Sequence, residues 1–126
     1  MRTTTAAALG VLLGFAVVHA YAADSMVVHL VDNRFEPTEL VLEHGKAYRL
    51  RVENAGKELH QFKAAAFFRA ARISQGRDAL TPDGAEVVVQ PGQAKELELV
   101  APAPGRYELT CPDHDWDGMV GKIVVR

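Results

Sequence analysis

From Met26 onward, apolar and polar residues alternate with period two. The clearest stretch is Ala47-Tyr48-Arg49-Leu50-Arg51-Val52-Glu53, where Tyr48, Leu50 and Val52 share one face and charged residues take the other. Successive side chains of a strand point to opposite faces, so this is the pattern of a half-buried β-strand. Residues 95–99 repeat it. So do residues 106–111, which put Cys111 on the face of Tyr107 and Leu109, pointing inward at a strand end. Shorter strands are predicted over 26–31, 38–43, 85–90 and 120–125. Turn signals separate them: His44-Gly45, Ala55-Gly56, Pro82-Asp83-Gly84, Pro91-Gly92 and Pro104-Gly105. Many short strands with frequent turns predict an all-β sandwich or barrel. One stretch departs from the pattern: residues 64–73, rich in strong helix formers, predict a short helix inside a connection, with Phe67 and Phe68 packing it onto a sheet.

The N-terminus has a different pattern. Residues 1–22 open with Arg2, run apolar from Ala6 to Val18 and close on Ala20-Tyr21-Ala22, the layout of a secretory signal peptide. The apolar run is shorter than the ~20 residues a spanning helix needs. The expectation is therefore cleavage before Ala23, no membrane anchor afterwards, and one mature domain over 23–126 in the periplasm or outside the cell. A chain of 126 residues with 48% hydrophobic content holds one core, not two. Cleavage takes Arg2 from the 14 Lys and Arg and none of the 16 Asp and Glu, which moves the net charge from −2 to −3. Nucleic acid is not an expected partner for such a domain.

Export sharpens the meaning of the cysteine count. Exported cysteines usually pair, yet Cys111 is the only one in the chain. A lone inward cysteine is most often a small buried hydrophobe. Its neighbours decide otherwise: Cys111-Pro112-Asp113-His114-Asp115-Trp116-Asp117-Gly118-Met119 puts a thiol, an imidazole and a thioether into one loop between two strands. A trigonal His₂Cys set with a weak axial Met is the donor mixture suited to copper that alternates between Cu(I) and Cu(II). The second histidine must come from His29, His44 or His60. His29 lies within the first strand and His44 in a Glu-His-Gly turn, where each reads as a surface residue. His60 follows the Asn54-Ala55-Gly56 turn, placed for a facing strand to bring it to the loop. Trp116 reads as an aromatic cap on that loop.

The segment YELTCPDHDWDGMVGKIV, Tyr107 to Val124, resembles the C-terminal copper loop of cupredoxins of the plastocyanin and pseudoazurin type. Both place three positions from Cys to His and five from His to Met, with Gly-Met-x-Gly after. Asn54-Ala55-Gly56 and His60 resemble, more weakly, the strand that carries the first histidine ligand. The resemblance implies a Greek-key β-sandwich holding one copper ion, with His60, Cys111 and His114 as equatorial ligands and Met119 as the axial one. It further implies single-electron transfer to a redox partner protein by a monomer, with His114 as the exit. The alternative is copper handling (buffering, delivery or resistance) with a copper-trafficking partner at the same site. An enzyme is not expected, because four protein ligands leave no open position. This chain departs from the pattern at three places. Asp113, not proline, precedes His114; Gln61 stands where asparagine usually follows the first histidine and braces the cysteine loop; and Asp113, Asp115 and Asp117 make the rim around His114 acidic.

Overall fold

The computed structural model describes residues 22–126, with Gly14 and Ala16 as isolated positions before them; the rest of the expected signal segment lies outside the described residues. Among the described residues ten strands follow in order: β1 Asp24–Val31, β2 Arg34–Glu36, β3 Glu39–Leu42, β4 Ala47–Asn54, β5 His60–Lys63, β6 Arg72–Gln75, β7 Glu86–Val89, β8 Ala94–Val100, β9 Gly105–Thr110 and β10 Val120–Val125. One short helix, α1 Ala65–Ala70, lies between β5 and β6. Among the described residues no helix is long and apolar enough to cross a membrane.

The strands form two five-stranded sheets, ordered β2-β1-β4-β8-β6 and β3-β10-β9-β5-β7. This is the β-sandwich expected from the sequence. The period-two pattern explains the layering, since Leu50 and Val52 of β4, Leu97 and Leu99 of β8, Leu40 and Leu42 of β3, and Ile123 and Val125 of β10 all turn inward and are buried. On the outer face of the first sheet, β4 and β8 pair Arg49 with Glu98 and Arg51 with Glu96. The Arg49 guanidinium lies 2.7 Å from Glu98. Exposed pairs of this kind contribute about 0.2–1 kcal/mol each, so burial, not charge, holds the sheets.

The helix is shorter than its composition suggests. It covers Ala65–Ala70 rather than 64–73, because Ala71 turns to extended backbone and Arg72 and Ile73 pair with Val100 and Leu99 of β8. Sheet pairing overrides helix propensity there. Phe67 and Phe68 anchor the helix as expected, Phe67 edge-on to Tyr107 and Phe68 tilted against Phe62, both buried. The arrangement sets up the site, because β5 starts at His60, β9 ends just before Cys111 and β10 starts just after Met119.

Candidate metal centre

The loop between β9 and β10 is held by its own backbone. The Cys111 N–H donates to the Met119 carbonyl at 3.1 Å, while the His114 carbonyl accepts from Met119 at 3.1 Å and the Cys111 carbonyl from His114 at 2.9 Å. A single 3₁₀ turn, Asp115–Asp117, fills the interval and ends at Gly118, whose φ of +86° is the left-handed conformation that glycine adopts without strain. Short spacing thus folds Cys111, His114 and Met119 back on one another. Cys111 and Met119 have no exposed surface.

His60 enters from the neighbouring strand and is fully buried. Its Nδ1 lies 3.9 Å from Cys111 Sγ, and His114 Nδ1 lies 3.5 Å from the same sulfur. The donor atoms of His60, Cys111 and His114 all fall within 4.8 Å of one another. The two imidazole centroids are 4.7 Å apart. An ion of zinc's size holds nitrogen at about 2.0–2.1 Å and thiolate at about 2.3 Å, so trigonal donors around it stand about 3.5–4 Å apart. The observed sulfur–nitrogen spacings match, and the donor set fits copper.

The structure thus brings His60, and neither His29 nor His44, to Cys111 and His114. His29 is elsewhere, its Nδ1 3.3 Å from Glu53, and His44 sits on the Pro102 carbonyl at 2.9 Å. Gln61 takes up the brace at the position usually held by asparagine. Its side-chain oxygen accepts from the Asp113 N–H at 3.2 Å and from the Cys111 thiol at 3.3 Å, and its own N–H donates to Cys111 Sγ at 3.4 Å. Trp116 differs from expectation. Its indole N–H donates to the Asp113 carbonyl at 2.9 Å, but the side chain is 79% exposed, because the 3₁₀ turn throws the ring outward instead of over the loop.

Burial pushes the Cys111 thiol above its ordinary range, partly offset by backbone N–H groups including that of Gln61. A thiol in this state loses its proton when a cation arrives. Two carboxylates that the sequence pattern did not single out complete the surroundings. Asp32, in the turn between β1 and β2, lies 3.0 Å from His60 Nε2 and accepts from the Lys57 N–H at 3.0 Å. The hydrogen bond from His60, followed by that from Lys57, holds the Asp32 carboxyl below the usual range. Glu58 lies 2.6 Å from His114 Nε2. A carboxylate only accepts, so Nε2 is the donor of each imidazole, and Nδ1 is the nitrogen turned toward Cys111. Asn54, nearly fully buried, ties the intervening loop down: its amide donates to the Glu58 and Val89 carbonyls at 2.7 and 2.8 Å and its oxygen accepts from Gly56 at 2.9 Å.

Similar solved structures carry the same fold. Auracyanin B aligns at 24% identity with a TM-score of 0.62, over 90% of this chain and 96% of that one. Auracyanin A, a "blue" copper protein from Chloroflexus aurantiacus, aligns at 22% identity with a TM-score of 0.59, over 83% and 100%. A variant of amicyanin with Cu(I) aligns at 20% identity with a TM-score of 0.52, over 81% and 82%. No curated protein sequence matches. The family model for the cupredoxin-like domain matches residues 5–125, nearly the whole length. With that match, the two-sheet sandwich and two histidines converging on one buried cysteine, the chain belongs to the cupredoxin-like domain family.

Proposed function

We propose that the protein carries single electrons with one copper ion, which His60, Cys111, His114 and Met119 would hold. The observation that carries this reading is the convergence of the three His60, Cys111 and His114 donor atoms within 4.8 Å of one another. Bound there, copper supplies a one-electron Cu(II)/Cu(I) couple. The chain's own residues do the rest. Backbone pairing of Cys111 with Met119 fixes the donor loop, burial of His60, Cys111 and Met119 excludes water, and Gln61 braces the thiol side. Little has to move when the oxidation state changes. The His114 side chain keeps 12% of its surface exposed, which makes it the route for an electron to a redox partner protein. Four protein donors leave no position for a substrate, which argues for a carrier and against an enzyme.

The exposed carboxylates of Glu58, Asp113, Asp115 and Asp117 around His114 favour a second reading, copper handling, because they attract cations. Titration of the reduced, metal-free protein with Cu(II), followed by visible absorption and electron paramagnetic resonance, separates the two. One ion giving an intense thiolate-to-copper band that bleaches and returns on redox cycling supports the carrier. Colourless binding, or retention of Cu(I) alone, supports handling, and no binding refutes both. The composition of residues 1–22 supports export to the periplasm or beyond, leaving the domain 23–126. Mass measurement of the protein from a periplasmic extract tests that: a mass that still includes residues 1–22 refutes cleavage.

A further inference from the structure

Both imidazoles at the centre meet a carboxylate on the side facing away from the cysteine: Asp32 Oδ1 at 3.0 Å from His60 Nε2, and Glu58 Oε2 at 2.6 Å from His114 Nε2. We propose that Asp32 and Glu58 are positioning residues that fix the inward Nδ1 of each histidine and lower the reduction potential of the copper held there. The inference rests on the copper reading above and extends it to how this chain sets its potential.

Two further observations single out Asp32. His60 is fully buried, so its outward nitrogen has no water to turn to. Moreover, Gly56 leaves the room that the carboxylate occupies: a Cβ there would lie 2.2 Å from Asp32 Oδ1 and 2.9 Å from His60 Nε2. The bland alternative is that Asp32 merely ties the β1–β2 turn to the Lys57 amide, which it also does at 3.0 and 3.2 Å. A tie of that kind needs an acceptor but not a charge. The charge has its own consequence, because a nearby anion stabilises a doubly charged ion more than a singly charged one and so favours Cu(II). Carboxylates bound to the outer nitrogen of a ligating histidine also make it a stronger donor.

The test replaces charge and keeps shape. Asp32→Asn and Glu58→Gln retain an oxygen acceptor and remove the anion. Outer partners of metal-bound histidines typically change affinity about 10–100-fold. For Asp32→Asn the expected change is about tenfold in the Cu(I)-to-Cu(II) affinity ratio, a rise of about 59 mV for one electron. Glu58 is more exposed than Asp32, 66% against 42%, so Glu58→Gln should raise the potential less, and the rise should shrink in 1 M salt. Gly56→Ala, whose Cβ would meet both the Asp32 carboxylate and His60 Nε2, should raise the potential as well; it is read where the visible band shows His60 still in place, and it keeps the test decisive if Asp32→Asn folds poorly.

Potentials are read by redox titration of the copper-loaded proteins at their visible band. Unchanged potentials in all three variants, with copper bound and the band intact, overturn this inference and leave the copper reading standing. Failure of the unsubstituted protein to bind copper overturns both. In the metal-free protein, long-range proton–nitrogen NMR should find His60 protonated at Nε2; protonation at Nδ1 also overturns the inference.

Discussion

Asn54 is the side chain on which the loop from Ala55 to Leu59 hangs, and replacing it by alanine gives a sharp test of how that loop holds His60. The buried amide makes three hydrogen bonds of 2.7, 2.8 and 2.9 Å to Glu58, Val89 and Gly56. Each contributes about 1 kcal/mol net, and truncation also leaves the Val89 carbonyl short of a partner in a buried setting, so Asn54→Ala should cost about 3 kcal/mol. That is a large part of the 5–15 kcal/mol typical of a domain, and it corresponds to a fall in Tm of roughly 12 °C or more. The backbone bonds of Asn54 with Gln93 and Gly92 survive the change, so the strand itself should persist. Urea unfolding of the metal-free protein, followed by far-UV circular dichroism, measures the loss. The slope should stay constant while the midpoint falls. Copper affinity should fall with it, since His60 begins the strand after this loop, while the position of the visible band stays put. A stability loss below about 1 kcal/mol would show that solvent or loop relaxation replaces the amide, and would refute this account of what positions His60.

Other expectations concern the donors and the surface. Cys111→Ser should abolish intense visible absorption, and unchanged colour would remove Cys111 from the site. Met119→Leu should shift the potential while copper still binds, because the axial donor tunes the couple; complete loss of binding would make Met119 a primary ligand. His29→Ala and His44→Ala should leave copper affinity unchanged by isothermal titration, and a large loss in either would overturn the choice of His60. Hydrogen bonds from Lys122, Arg51 and Thr81 hold the carboxyls of Glu39, Glu53 and Asp83 below their ordinary range. A carboxyl so depressed binds its proton less readily when folded, so its stabilisation is full above the unfolded value of about 4 and is lost as pH falls through the folded value. The urea midpoint of the metal-free protein should therefore drop between about pH 5 and 3, less so in Asp83→Asn; a flat profile in the unsubstituted protein refutes this.

The parts of the molecule legible in the sequence share one property, which is that the information lies within a few residues. Period-two alternation in Ala47–Asn54 and Ala94–Val100 marks strands with one buried face, and both are present. Strands β2, β5 and β6 escaped that reading, β5 being expected only as the segment that carries His60. Arg34–Glu36 has three residues, too few for a period, and Arg72–Gln75 becomes a strand only through β8, against the helix-forming run that precedes it. The same division runs through the metal centre. Cys111, His114 and Met119 lie in one nine-residue loop, so their meeting was legible from spacing, whereas His60 needed the turn before it and the elimination of His29 and His44.

Asp32 and Glu58 carried no such signal, and the reason is physical. They meet histidines 28 and 56 positions away. Along the chain, an aspartate followed by asparagine between two strands is fully accounted for by the turn, since both residues hydrogen-bond their own backbone and tolerate its geometry. A glutamate two residues before a strand histidine is accounted for by solvent. Even Gly56 reads as a turn glycine, although what it supplies is the absence of a Cβ where the Asp32 carboxylate stands. Three of the four proposed donors are thus written locally, in the loop, while the charges proposed to bias the oxidation state are supplied by the packing of other turns against the outer edges of the imidazoles. Two chains with the same Cys-x-x-His-x-x-x-x-Met loop can therefore differ in potential through residues that no comparison of the loops would include.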